Sequence, residues 1–329
     1  MNWKTDNPGL MTVKPDVPLR DVRISLRSRI FTKMLKWVLK PLIARFASGS
    51  RVKIAKTHLF IAQRPLTEKR SLGLKKHDRI INRVYGPTLG DFDNTNQRAI
   101  LWFHGGGFLI PASEETHLRL VAHLCKGTEA VGFLPDYRLA PFNAFPAALD
   151  DCERAYLGLL ELGFDPQKIW IGGDSAGGNL CLGTLQRLKK HGTPMPGVAT
   201  LLSPVAEMGR IHAPRSRSWA PKRDPLIPIG SMGLMDDMYG QDWDASDPEL
   251  SPMYGDYRGL PPMHFIAGET EVLLDESIFC AQRARDAGVE SRIDVWPVLP
   301  HAFPLFEPLF RETAIVRQDM LDFATKYLA

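Results

Sequence analysis

A serine in a glycine-rich turn is the first group in this 329-residue chain whose setting suggests chemistry. Gly173-Asp174-Ser175-Ala176-Gly177 fits the pattern Gly-x-Ser-x-Gly, follows an apolar run and precedes a predicted helix over 178–190. On its own the motif also fits an ordinary glycine-rich turn. In a strand–turn–helix context, however, glycines two positions either side of a serine allow a strained turn that exposes the hydroxyl. Ser175 is the candidate nucleophile.

A second glycine-rich loop, 71 residues upstream, narrows the chemistry to acyl transfer. His104-Gly105-Gly106-Gly107-Phe108 directly follows a predicted strand over 99–103. Glycines let backbone N–H groups approach a ligand closely, and attack on an ester carbonyl creates an oxyanion that needs such donors. We predict an oxyanion hole built from the loop Gly105–Gly107 and from Ala176, with the N–H groups of Gly106, Gly107 and Ala176 as donors. His104 is expected to support the loop.

A base and an acid complete the predicted catalytic set. His301 follows a predicted strand near the C-terminus, whereas His264 lies within a predicted strand and is expected to be a core or sheet-face residue. The acid should leave the strand before His301, where the segment 268–276 offers several carboxylates. We favour Glu271, whose task is to accept the imidazole N–H and hold the correct tautomer. Asp275 is the rival, with a structural alternative as a first-turn acid of the next helix.

Substrate contacts are predicted beside these groups. Phe108 and Asp174 adjoin the oxyanion loop and the nucleophile, and Trp219 lies in a segment over 205–262 that interrupts the regular alternation of elements. The aromatic and sulfur-containing side chains of this segment either line an acyl pocket or pack a cap. They are Trp219, Met232, Met235, Met238, Tyr239 and Trp243.

Short apolar runs alternate with helical segments from about residue 78 onward. This alternation predicts an α/β fold with a mostly parallel central sheet and helices on both faces. Ligands at such sheets bind at the carboxyl ends of the strands, where the candidate residues fall. The predicted strands cover 99–103, 131–134, 169–171, 198–202, 263–267 and 293–296.

The N-terminal quarter is strongly basic. Residues 1–77 hold 18 Lys and Arg against 4 Asp and Glu, whereas the remainder holds 23 against 33. Residues 21–47 are predicted to be helical with a division at Pro41; Ile30, Met34, Val38 and Leu42 share one face. We expect this apolar face to cover the active site while lysines face water. The alternative is weak peripheral contact with an anionic membrane through Trp37 and Phe46.

In the combination of its motifs, the chain resembles the hormone-sensitive-lipase-like (bacterial family IV) esterases. The resemblance spans about residues 78–329. It rests on His-Gly-Gly-Gly at 104–107, Asp-Tyr-Arg-Leu-Ala-Pro at 136–141, Phe-Pro-Ala-Ala at 145–148, Gly-Asp-Ser-Ala-Gly-Gly-Asn at 173–179, Leu-Ser-Pro at 202–204 and Asp-Pro-Glu-Leu-Ser-Pro at 247–252. Three positions depart from the family pattern: Glu271 stands in place of the usual Asp, Phe142 in place of an acid, and Ala302 in place of a glycine.

The resemblance implies an α/β-hydrolase fold with a helical cap and cofactor-free hydrolysis of short to medium acyl esters. We expect cap helices within 1–77 and a catalytic domain over 78–329, with a cap insertion at about 205–245. A lactone hydrolase would use the same intermediate, and an amidase or deacetylase is a weaker alternative. A non-catalytic small-molecule binding protein on the same scaffold would show a damaged triad.

The sequence also bears on binding partners, cofactors and localisation. No nucleic-acid recognition motif accompanies the basic residues, and no metal or phosphate-binding motif is present in the sequence, so neither nucleic acid nor metal nor cofactor is expected. Four well-separated cysteines and the lack of a recognisable leader predict a cytoplasmic protein. The oligomeric state is open, with a homodimer among the alternatives.

Overall fold

One mixed sheet forms the centre of the molecule. The computed structural model describes residues 19–49, 51–62, 66–209, 216–217, 220–228 and 230–329. Its strands are β1 (Lys76–Ile81), β2 (Val84–Leu89), β3 (Ala99–Phe103), β4 (Val131–Phe133), β5 (Ile169–Asp174), β6 (Val198–Leu202), β7 (Met263–Gly268) and β8 (Ser291–Trp296). Their spatial order is β1-β2-β4-β3-β5-β6-β7-β8.

Six of these strands run parallel, as the alternation of elements predicts. From β4 to β8 every neighbouring pair is parallel, and Phe103 at the end of β3 pairs with Gly173 near the end of β5. β1 and β2 form an antiparallel hairpin that adds to β4 at one edge. The carboxyl ends of β3, β5, β6, β7 and β8 therefore lie along one edge of the sheet, where ligands bind in such folds.

Helices cover both faces of the sheet because both faces are apolar. In β3, Leu101 joins the core on one face, and Ile100 and Trp102 join the core on the other. The first core receives α5 (Ala147–Glu161), α6 (Ala176–His191) and α8 (Leu274–Asp286), and the second receives α4 (Arg119–Thr128) and α9 (Thr313–Tyr327). Burial of all five residues of β3 is typical of a strand sandwiched between helical layers.

Three helices precede the sheet. They are α1 (Leu26–Met34), α2 (Lys40–Ala47) and α3 (Arg51–Ala62). A single π-helical turn, Leu35–Leu39, joins α1 to α2 immediately before Pro41. Proline has no N–H to donate, so the regular hydrogen-bond ladder is interrupted at the predicted position.

The expected orientation of this helical segment is only partly right. From α2, Leu42 and its neighbours Ile43 and Phe46 line the cavity described below. In α1, however, Ile30 and Met34 face outward, and Ser28 and Thr32 are buried instead. The periodicity identified an apolar stripe correctly, but a buried Glu312 accepts hydrogen bonds from Ser28 and Ser25 and turns the polar side of the helix inward.

Two lysines of this segment also differ from expectation, whereas Lys33 is exposed as expected. We expected them to face water, but the ammonium of Lys36 donates to the carbonyl of Lys222 and that of Lys40 donates to the carbonyl of Asp224, both at 2.7 Å. Those carbonyls belong to the segment between β6 and β7, which also contains α7 (Gly230–Met235) and a π turn over Asp236–Gly240. In the part of the chain that the structure describes, no helix is long and apolar enough to cross a membrane.

Candidate active site

Ser175 lies in a sharp turn between β5 and α6. Its φ of 55° and ψ of −117° fall outside the regions that side chains ordinarily favour. The turn is held on both sides, because the Ser175 N–H donates to Leu202 O at 2.8 Å and its carbonyl accepts from the N–H groups of Val205 and Asn179. The side chain is half-buried and lines a cavity. A strained but well-supported backbone of this kind is typical of a nucleophile.

The glycines flanking Ser175 are required by close backbone packing. A Cβ at Gly173 would collide with the carbonyls of Gly177 and Phe103, and a Cβ at Gly177 would collide with those of Phe103 and His104. These collisions explain why the strained turn of Gly-x-Ser-x-Gly needs glycine at both positions. The structure identifies the colliding groups as main chain, which has no rotamer with which to move away.

His301 and Glu271 form a buried hydrogen-bonded pair beside Ser175. The Glu271 Oε2 lies 2.8 Å from His301 Nδ1, and the two side chains are 0% and 4% exposed as residues. His301 lines the same cavity as Ser175. Because Nδ1 is held by the carboxylate, Nε2 is the nitrogen left to exchange a proton with the serine. The two residues reach this point from the ends of adjacent parallel strands, β7 and β8.

Ser203 fixes the position of this pair from a third strand. Its hydroxyl donates to the Glu271 Oε1 at 2.9 Å and accepts the Ala302 N–H at 3.1 Å. The Glu271 Oε1 also accepts the N–H of Gly268. Ala302 has a φ of 48°, in the left-handed region, which explains why a glycine is common after the histidine in the family that the sequence resembles. Sequence analysis noted Ser203 within Leu-Ser-Pro but gave it no role.

The surroundings of His301 favour its charged form. Burial opposes the imidazolium, but the hydrogen bond and charge of Glu271, together with the charges of Asp224 and Asp174, outweigh burial and raise the pKa of His301 above its usual value. The same surroundings stabilise the imidazolium that forms when the serine loses its proton.

The predicted oxyanion loop follows β3 with the conformations that its glycines allow. Gly106 has a φ of 117° and Gly107 a φ of 64°, and both line the cavity. Ala176 is the first residue of α6, so its N–H has no partner within the helix ladder. Gly105 does not line the cavity; it lies against Asp174, whose carboxylate a Cβ at Gly105 would strike.

His104 supports this loop from beneath. Its ring is buried, lies 2.7 Å from Gly105 O through Nδ1, and stacks on Tyr137 at a centroid distance of 4.3 Å. The Tyr137 hydroxyl donates to His104 O at 2.5 Å. Burial, together with the charge of His117, lowers the pKa of His104 to about 3. A ring that stays neutral and donates to the loop carbonyl is a structural support, as expected.

Asp174 borders the cavity but is held by neighbouring side chains. Its Oδ1 accepts the Trp102 indole N–H at 3.1 Å, and its Oδ2 lies 3.4 Å from His117 Nε2. Both oxygens thus contact side chains next to the predicted oxyanion loop, while Asp174 also lines the cavity, so its contact with substrate stays a prediction. His117, which no sequence signal distinguished, lines the cavity beside it.

The other predicted contacts and rivals have different outcomes. Phe108 is fully buried and stacks on Tyr239 at a centroid distance of 3.8 Å, so it packs the core beneath the loop and is not among the residues that line the cavity. Trp219 lies outside the described residues.

Asp275 accepts the Ser216 N–H at 2.7 Å in the first turn of α8. His264 is buried in β7 against Asp294, as expected.

Asp224 is a further carboxylate near the pair that sequence analysis missed. It is buried; its Oδ1 accepts the N–H groups of Leu226 and Ile227, and its Oδ2 accepts the N–H of Val272 at 2.9 Å. Val272 follows Glu271, so Asp224 ties the segment between β6 and β7 to the loop that carries the acid. Its sequence context, Arg-Asp-Pro in a proline-rich stretch, gave no signal of such a contact.

A cavity of about 490 Å³ connects these groups with the N-terminal helices. Ser175, His301 and Gly106 all line it, and its walls are mostly apolar. The wall residues include Leu39, Leu42, Ile43, Phe46, Leu109, Ile110, Leu226, Ile227, Met232, Leu234, Met235, Leu305 and Phe306. Ligand pockets commonly have this size, with apolar walls and a few convergent polar groups.

The parallel sheet, the strained serine turn and the base and acid at the ends of later strands together define the α/β-hydrolase fold. Comparison with known proteins agrees. A family model described as an alpha/beta hydrolase fold matches residues 100–305. The chain belongs to this family, within the hormone-sensitive-lipase-like esterases, and it is a carboxylic ester hydrolase.

Named relatives share much of the chain. An acetyl-hydrolase of Streptomyces hygroscopicus is 34% identical over 218 residues, covering 65% of this chain and 71% of that protein. The carboxylesterase NlhH of Mycobacterium tuberculosis is 29% identical over 290 residues, covering 83% and 88%. A crystal structure of EstE5 soaked with p-nitrophenyl butyrate aligns with a TM-score of 0.81 at 30% identity, covering 92% of this chain and 99% of that one.

Proposed function

We propose that this enzyme hydrolyses carboxylic esters of short to medium acyl chains through a Ser175–His301–Glu271 triad and a covalent acyl-enzyme. The observation that carries the proposal is the His301–Glu271 pair, held at 2.8 Å and opening on the same apolar cavity as the strained Ser175. The relative whose structure was soaked with p-nitrophenyl butyrate supports a short-chain ester as substrate class.

The reaction begins when His301 Nε2 takes the proton of Ser175 as its oxygen attacks the ester carbonyl. The N–H groups of Gly106, Gly107 and Ala176 receive the oxyanion. Collapse of the tetrahedral intermediate expels the alcohol, which takes the proton from His301. A water then loses a proton to His301 and attacks the acyl-enzyme, and a second collapse releases the acid and restores Ser175. Glu271 holds the imidazole oriented throughout.

The size and walls of the cavity support short to medium acyl chains. It has room for a drug-sized ligand, and its lining from α2, α7 and the segment 305–306 is apolar except for Ser231. A charged acyl group would have to lose its hydration against walls that are mostly apolar.

Hydrolysis of p-nitrophenyl esters from two to sixteen carbons tests this proposal. We expect turnover of the shorter chains by the unmodified enzyme and its loss in Ser175→Ala. A control is Ser291→Ala, at the start of β8 and therefore at the opposite end of that strand from His301. A folded enzyme that leaves every ester intact but opens lactone rings would replace this proposal with the lactone-hydrolase alternative.

A further inference from the structure

The outward face of α1 and α2 is apolar. Trp37, Leu26 and Leu42 are 77%, 74% and 59% exposed, and Ile30 and Val38 are exposed to a similar degree. Surface helices of globular proteins normally turn such residues inward, and α1 buries Ser28 and Thr32 in their place. A contiguous exposed apolar stripe of this kind marks an interaction site.

The stripe is continuous along two helices because of the π turn between them. In a regular α-helix, residues spaced by four drift slowly around the axis, so that Leu42 would move away from Leu26 and Ile30. The wider turn over Leu35–Leu39 accommodates an extra residue and so offsets this drift. Its effect here is to keep the exposed residues of α1 and α2 on one side.

Basic residues border the stripe, and acidic ones are nearly absent. The described residues 19–49 and 51–62 contain eleven Lys and Arg and a single acid, Asp21. Arg27, Lys33 and Arg45 are exposed beside the apolar positions. Long basic side chains extend from an apolar surface toward phosphate groups while their methylene stems stay in contact with it.

The stripe also reaches the active-site cavity. Leu42 is both exposed and part of the cavity wall, and Ile43 and Phe46 continue that wall inward. A surface that covers the stripe would therefore lie at the cavity mouth, about where an ester has to enter.

From these features we infer that α1 and α2 dock the enzyme on an anionic phospholipid surface with the cavity mouth facing it. A second copy of the chain fits less well, because a symmetric dimer through this face would place the same basic residues against each other. The consequence that esters enter from the lipid layer rests on the proposed function; the docking itself does not.

Vesicle co-sedimentation of the full chain tests the inference. The probes are phosphatidylcholine vesicles with and without phosphatidylglycerol, and the variants are Trp37→Glu and Ile30→Glu, neither of which lines the cavity. The matched control is Ile80→Glu, which is 72% exposed on the edge strand β1. We expect binding to the anionic vesicles, weakening with salt, and a loss of about tenfold or more in the two helix variants but not in the control.

Three results would overturn the inference. They are failure of the unmodified chain to bind anionic vesicles, equal binding by Trp37→Glu, and a dimer in solution that Trp37→Glu converts to a monomer. Hydrolysis of p-nitrophenyl butyrate without vesicles is measured on the same preparations. Vesicle binding without ester hydrolysis would refute the proposed function and support docking, and the reverse result would refute docking alone.

Discussion

The Glu271 carboxylate divides its two oxygens between orientation and support. Oε2 faces His301, whereas Oε1 is held by Ser203 and by the Gly268 N–H. Glutamate has one methylene more than the aspartate usual at this position, and two contacts on the far oxygen immobilise the longer side chain. The proposed acid of the triad is thus a longer residue whose far oxygen is held at two points.

Replacing Glu271 by Gln tests this arrangement. The amide has nearly the same shape but cannot stabilise the imidazolium and offers an N–H where an acceptor is needed, so kcat should fall by about 10²- to 10⁴-fold. The measurement is steady-state hydrolysis of p-nitrophenyl butyrate. Glu269→Gln, two residues away, is the control and should retain nearly full activity. A loss of less than about threefold in Glu271→Gln would remove this residue from the triad.

The raised pKa of His301 sets the pH dependence. The base acts only when neutral, so the acidic limb of kcat/KM should have its midpoint above about 6.5, the ordinary value for histidine. The contribution of His301 to folding stability changes with pH in the opposite direction to the activity. A group whose pKa is raised by folding contributes stability below its unfolded pKa, and this contribution is lost as pH rises through the folded pKa. Rates between pH 5 and 9 measure the midpoint; a value at or below 6.5 would contradict the assignment.

At the scale of elements, the contact between α6 and the end of β3 leaves no room for a larger side chain. A Cβ at Gly177 would meet the main-chain carbonyls of Phe103 and His104. Gly177→Ala should therefore lower the free energy of unfolding by about 1–3 kcal/mol or more, read from the midpoint of urea denaturation. Gly230→Ala is the control, since nothing lies near its Cβ position in α7. It should be neutral or stabilising by up to about 1 kcal/mol. Equal midpoints for the two variants would contradict the packing argument.

Buried strands were predictable from the sequence, and the edge hairpin was not. The runs at 99–103 and 198–202 match β3 and β6 because a doubly covered strand is almost entirely apolar, and Thr200 is the one polar residue of these two strands. By contrast, β1 reads Lys-His-Asp-Arg-Ile-Ile, and β2 contains Gly86 and Pro87. Such sequences suit a strand near the sheet edge, where water or a single neighbour completes the hydrogen bonding, and they carry a weak strand signal.

The positions of the proposed nucleophile, base and acid at strand ends were predictable because the sequence marks those strands clearly. The contacts that support them were not. Ser203 and Asp224 act through hydrogen bonds to Glu271 and Val272, which lie 68 and 48 positions away in sequence. Phe108 is the opposite case, because the sequence marked the residue but could not decide its role. An aromatic side chain beside a catalytic loop suits substrate contact and core packing equally well, and only the stacking on Tyr239 distinguishes them.

At the scale of the whole molecule, the cysteines report on the integrity of the core. All four, Cys125, Cys152, Cys181 and Cys280, are free and buried, and burial raises the pKa of each thiol. An aromatic disulfide reagent should modify none of them in the folded enzyme and all four in urea, because thiolate and access are both required. Absorbance of the released thiolate gives the count. Rapid modification of a folded, active sample would show that the core opens locally.

The order in which the catalytic groups enter the sheet has a consequence for biogenesis. The serine turn and oxyanion loop belong to central strands, whereas the acid and base follow β7 and β8, the last two strands made. A ribosome that has synthesised residues 1–260 has therefore produced the proposed nucleophile without the residues proposed to activate it. During synthesis the chain passes through a long interval in which it holds a serine turn but no base, and ester cleavage should begin only once the final strand joins the sheet.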